Sequence, residues 1–226
     1  MPRLLPNFLT LCQRIQDCST KGFRLYVTGQ IDPEKWPKFE AKMVSNYELD
    51  MSDSTRSKRR KKGESVARLY ACPIPSGPIQ WVMMVTEGAG RIHSKEGLQH
   101  IETKRLEIGG FELVHDGVGW TWKMTSARFK YWKDRILTIS KRPPERRKIV
   151  INPNTLRQHD AEIETVMDTL YSSPGFRLVR RQVGQLVAHA NASWARFRPS
   201  SGPSIRKRSY LPYVRRLPNV KVTNDI

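Results

Sequence analysis

Ile79-Gln80-Trp81-Val82-Met83-Met84-Val85-Thr86 is apolar on both of the faces that a β-strand presents. Alternate side chains point to opposite sides, so Ile79, Trp81, Met83 and Val85 line one face and Val82 and Met84 the other. Such a strand is normally covered on both faces. Residues 66–72 form a second strand-like run, joined to the first by Pro73-Ile74-Pro75-Ser76-Gly77-Pro78. Three prolines and a glycine bias this connection to turn, so the pair reads as a β-hairpin whose loop exceeds the two-residue turn types.

Working outward, residues 7–18 place Phe8, Leu11, Cys12 and Ile15 at helical spacing, and Gly22 follows as a stop. Phe23, Leu25 and Val27 then alternate with Arg24, Tyr26 and Thr28, the pattern of a half-buried strand. Asp32-Pro33 opens a helix with the stripe Trp36, Phe39, Met43, Tyr47, and Pro37 predicts an irregular start. Residues 50–65 show no periodicity and contain Lys58-Arg59-Arg60-Lys61-Lys62. Five successive like charges repel one another, which predicts an exposed basic loop over 52–65.

Residues 87–90 read as a flexible exit from the hairpin. Residues 106–114, interrupted by Gly109-Gly110, and 120–124 are further strands around the turn Asp116-Gly117-Val118-Gly119. From Ser126 the spacing of Phe129, Trp132, Ile136 and Ile139 is helical, Pro143-Pro144 ends the run, and 148–151 fits a short edge strand. Residues 154–171 and 175–197 read as an αα-hairpin, the second helix carrying the seam Phe176, Val179, Val183, Leu186, Ala190, Trp194, Phe197. The expected fold is therefore α+β. A mainly antiparallel sheet with flanking helices occupies residues 1–150, an antiparallel helical hairpin 153–198, and an extended basic tail 199–226.

Charge dominates the composition. Among 226 residues, 40 are Lys or Arg and 21 are Asp or Glu, a net charge of +19. Residues 126–152 carry +7 and 172–226 carry +10, while the helix between them, 153–171, carries −3. Such an excess, gathered in two blocks, suits a polyanionic partner. The basic run Lys58, Arg59, Arg60, Lys61 and Lys62 is one candidate contact; a merely solvated loop and, in a eukaryotic source, a nuclear-import signal are alternative readings. Arg128, Lys130, Lys133, Arg135, Lys141, Arg142, Arg146, Arg147 and Lys148 form a second. Arg177, Arg180 and Arg181 are a third, for which Asp160, Glu162, Glu164 and Asp168 of the preceding helix offer alternative, purely structural partners. In the tail, Arg206, Lys207, Arg208, Arg215 and Arg216 interleave with Tyr210 and Tyr213, so phosphates and unstacked bases are both catered for. With four prolines from Pro199 on, the tail is expected to order only on a partner.

These features predict a non-enzymatic nucleic-acid-binding protein, RNA before DNA, working through phosphates among other proteins of a nucleoprotein assembly. Alternatives are a DNA-binding replication or transfer accessory factor, an anionic-membrane binder through the basic helix from Ser126, and a metal-independent ribonuclease using His93, His100 or His115 as general acid or base. The five histidines lack paired metal-ligand spacing, no phosphate-cradling loop or nucleophile elbow occurs, and no cofactor is expected. Cys12, Cys18 and Cys72 make no disulfide framework and read as small buried hydrophobes. No apolar run is long enough to span a membrane, and no signal-peptide pattern opens the chain. An intracellular site is expected, cytoplasmic or, in a eukaryote, nuclear. No resemblance to a known family contributes to these expectations.

Overall fold

The hairpin lies at the centre of a five-stranded sheet. In the computed structural model, which describes residues 3–75, 77–142, 153–198 and 204–217 (backbone alone for 3 and 153–161), the first elements are β1 (Arg3–Leu4), α1 (Phe8–Thr20), β2 (Phe23–Ile31), α2 (Trp36–Tyr47), α3 (Asp53–Lys61), β3 (Ala67–Pro73), β4 (Ile79–Thr86), α4 (Arg91–Lys95) and β5 (Gln99–His100). The strand order is β1-β3-β4-β2-β5. β4 pairs antiparallel with β3 from Ala67↔Val85 to Pro73↔Ile79, and with β2 from Phe23↔Thr86 to Ile31↔Ile79.

Both faces of β4 are covered, as its composition requires. On one face Ile79, Met83 and Val85 pack with Trp36 and Met43 of α2, and with Leu69, Ala71 and Ile92. On the other, Tyr70 opposes Val82 and its hydroxyl contacts Cys18 Sγ of α1 at 3.3 Å. Val82, Met83, Met84 and Val85 are all fully buried, each contributing about 1.5–3 kcal/mol of gross burial. Asn7 caps α1 by accepting from Thr10 N–H at 2.9 Å. Cys12, Cys18 and Cys72 are buried thiols, as expected.

The basic segment is not the expected loop. Asp53–Lys61 is a helix, because Ser52 Oγ accepts Thr55 N–H at 3.1 Å as an N-cap. Asp53 stands in its first turn and Lys58, Arg59, Arg60 and Lys61 in its last, matching the helix dipole. Repulsion along the run is offset by acids from outside it: Arg59 meets Glu48 at 2.5 Å and Glu64 at 3.7 Å. Within α3, Arg56 pairs with Asp53 at 3.0 Å. Residues 87–90 after β4 form no helix or strand, and α4 follows them; the irregular start predicted before α2 is a 3₁₀ turn at Pro33–Lys35.

The remaining elements are β6 (Glu107–Ile108), β7 (Phe111–His115), β8 (Trp120–Met124), α5 (Ser126–Lys141), α6 (Pro153–Tyr171) and α7 (Arg177–Phe197), with β6-β7-β8 forming a small sheet. The strand proposed at 148–151 lies outside the described residues. The chain makes two compact units: one comprises residues 1–106, 113–121 and 215–226, the other 107–112 and 122–214. In the second, α5 packs on α7 and α6. The α7 seam is buried as read at Phe176, Val179, Val183, Leu186, Ala190 and Trp194, with Phe197 emerging at the surface. Gln182 ties α7 to β8, accepting Met124 N–H at 2.6 Å and donating to the Met124 carbonyl at 3.2 Å.

Candidate nucleic-acid interface

On the first unit, Lys58, Arg60 and Lys61 of α3 and Lys62 just after it are exposed, whereas Arg59 is committed to Glu48 and Glu64. The Arg60 guanidinium lies 5.8 Å from the Phe23 ring centroid and borders a polar cleft of about 470 Å³ lined by Gly22, Arg24, Thr86, Glu87, His100 and Glu102. Sequence reasoning missed this grouping because its members come from α1–β2, α3, the end of β4 and β5. Only the sheet order brings them together.

The histidines are placed separately. His100 Nε2 faces Glu87 Oε1 at 3.5 Å, and its Nδ1 accepts Glu102 N–H at 3.2 Å. His115 Nδ1 accepts Gly117 N–H at 3.3 Å, and its ring meets Trp120 edge-on at 5.4 Å. His93 is exposed on α4, and neither it nor His115 lines the cleft. Among the described residues, no group of three histidines, cysteines or acids could hold a metal ion.

On the second unit, Lys130, Lys133, Arg135 and Lys141 of α5 and Arg142 just after it are exposed. Arg128 is different. Its guanidinium lies 4.6 Å from the Phe111 centroid and donates to the Gly109 carbonyl at 2.9 Å, and burial pushes its pKa down. It holds the β6–β7 turn to the helix. Tyr131, Asp134, Arg135, Thr138, Arg142 and Glu162 line a shallow groove of about 410 Å³. Arg146, Arg147 and Lys148 lie outside the described residues.

Three acids of α6, Glu162, Glu164 and Asp168, pair with residues other than Arg177, Arg180 and Arg181. Glu162 takes Arg142 of α5 at 3.0 Å, and Glu164 and Asp168 both take Arg208 of the tail at 2.6 Å. The side chain of Asp160 lies outside the described residues. Arg181 is exposed, Arg177 is half-buried, and Arg180 donates through Nε to the Leu211 carbonyl at 2.6 Å. Its guanidinium also lies over the rings of Tyr213 and Tyr210, 3.5 and 5.5 Å from their centroids.

The tail, expected to order only on a partner, docks on its own chain over its described residues, 204–217. Leu211 is buried, Val214 N–H donates to the Gly175 carbonyl at 3.2 Å, and Arg206 N–H donates to Glu164 Oε1 at 2.7 Å. One buried leucine, a doubly paired arginine and several backbone hydrogen bonds offset the ordering entropy that composition alone left uncompensated. Arg206, Lys207, Arg215 and Arg216 remain exposed, and Arg216, itself part of the first unit, pairs with Asp17 of that unit at 3.0 Å.

Against known proteins, no family model matches the chain and no curated protein matches it. No helix among the described residues is long and apolar enough to cross a membrane.

Proposed function

We propose that the protein binds nucleic acid through its phosphates, without catalysing a reaction, within a larger intracellular nucleoprotein assembly, and that RNA is preferred to DNA. One observation carries this reading: much of the positive charge is not consumed by the fold. Lys58, Lys61, Lys62, Lys130, Lys133, Arg135, Lys141, Arg181, Lys207 and Arg215 are exposed and form no ion pair among the described residues. Each such cation that reaches a phosphate releases counterions. The RNA preference rests on the exposed Tyr210 and Tyr213, which suit unstacked bases. The membrane alternative is weakened by α5, whose Ile136 and Ile139 are buried among neighbouring helices and not free to enter lipid.

The test is binding of labelled RNA and DNA across a salt series, with anionic vesicles alongside. Affinity should fall steeply with salt, and Lys130→Ala/Lys133→Ala/Arg135→Ala should weaken binding and flatten the slope by roughly 0.7–0.9 for every phosphate that is no longer neutralised. Absence of salt-dependent association with either nucleic acid at low ionic strength would defeat the reading.

A further inference from the structure

Tyr210 and Tyr213 are 76% and 64% exposed although the segment that carries them is firmly held. Between them in sequence, Leu211 is buried and its carbonyl accepts from Arg180 Nε. Gly175 leaves room for the Pro212 carbonyl oxygen, which a methyl group at that position would overlap, and its own carbonyl accepts Val214 N–H. Upstream, Arg208 is clamped by Glu164 and Asp168. The anchors thus fix the backbone on both sides of each tyrosine while leaving the ring outside.

Arg180 completes the arrangement. Its guanidinium lies over both rings, which places a planar cation beside two aromatic faces, and Arg181 and Lys207 are exposed nearby in sequence. Rings held in water by a pre-ordered backbone can accept flat ligands without a further ordering cost. Bases offer their faces only when unpaired or unstacked, and stacking on aromatic side chains tolerates any base.

Resting on the nucleic-acid reading above, we propose that Tyr210, Tyr213 and Arg180 form a stacking platform for unpaired bases, through which the protein selects single-stranded over double-stranded nucleic acid. Phosphate contacts elsewhere set the overall affinity and its salt dependence, and this platform sets the strand preference.

The test uses the full chain with a fluorescent single-stranded oligoadenylate and an RNA duplex of equal length, read by anisotropy. The wild type should favour the single strand. Tyr210→Ala/Tyr213→Ala should lower single-strand affinity by at least about tenfold, leave duplex affinity unchanged and leave the salt slope unchanged, because no charge is removed. Tyr210→Phe/Tyr213→Phe should retain the preference. Independently of any variant, a bromouridine-substituted single strand should photo-crosslink to Tyr210 or Tyr213, as mapped by mass spectrometry. Equal wild-type affinity for the two forms, an undiminished double-alanine variant, or crosslinks confined to other regions would overturn the platform while leaving phosphate binding intact. Failure to bind either form at low salt would overturn the broader reading with it.

Discussion

Gln13 holds Leu217 as a neighbouring strand would. Its Oε1 accepts the Leu217 N–H at 3.1 Å while its Nε2 donates to the Arg215 carbonyl at 2.7 Å, so one side-chain amide satisfies the tail backbone in both directions. Arg14, nearly buried on the same helix, adds a bond to the Leu217 carbonyl at 2.5 Å. Gln182 treats Met124 in the same way. In both places a helix presents a glutamine to irregular or strand-end backbone and pairs with both a donor and an acceptor there.

Replacing Gln13 with alanine removes both bonds and should cost about 1–2 kcal/mol. The expected signature is local: faster amide exchange at Leu217 and faster tryptic cleavage after Arg215 and Arg216, with little change in β4. Unaltered exchange at Leu217 would show that Arg14 and the Arg216–Asp17 pair suffice.

Gly175→Ala should displace the tail, because the added methyl overlaps the Pro212 carbonyl oxygen. Overpacking of this kind costs typically about 1–3 kcal/mol. The helices α6 and α7 should retain their ellipticity while the 208–214 segment becomes protease-sensitive. A variant as resistant as the wild type would count against the docked tail.

Asp53 supplies an acid-side pH dependence. Burial raises its pKa, but Arg68 at 2.6 Å and Arg56 at 3.0 Å outweigh that and hold the carboxyl below its usual 3.8. A depressed carboxylate stabilises the fold above the unfolded-state value and loses that contribution as pH falls through the folded value. The side chain is largely exposed, so the effect at neutral pH is under about 1 kcal/mol. Urea midpoints of the wild type and Asp53→Asn should differ at neutral pH and converge as pH falls through the depressed folded-state value.

Tyr47 acts at the other end of the scale. Burial, then its hydrogen bond to the Glu96 carboxylate, push the phenol from 10.0 to about 12. Between those values the unfolded chain has released this proton and the folded chain has not, so stability declines as pH rises through the window. Tyr47→Phe should remove that part of the alkaline decline. Ultraviolet titration of the wild type should show a late-ionising phenol that the variant lacks.

The sequence made β4 legible because apolarity on both faces is a local property, and α7 because its seam repeats at helical spacing over several turns. The same approach failed at α3. The repulsion argument weighed Lys58 to Lys62 against one another, whereas Glu48, Glu64 and the Ser52 cap decide the matter, and Glu48 reaches Arg59 only because α2 ends beside α3. β1 and β5 have two residues each, too few for any period to show.

At the candidate interface, the cations and tyrosines were visible in the sequence, but their division of labour was not. Arg128 and Arg208 share a residue class with Lys130 and Lys207, yet the first two hold the fold together and the others face solvent. By itself the sequence determined the central hairpin, the helical seams and the distribution of charge, since each depends on neighbours within a few positions. Only the tertiary structure decided which acids neutralise which bases, that the tail docks, and that Tyr210 and Tyr213 stay outside it, because those outcomes depend on groups such as Glu164 and Arg208 that meet across long stretches of chain.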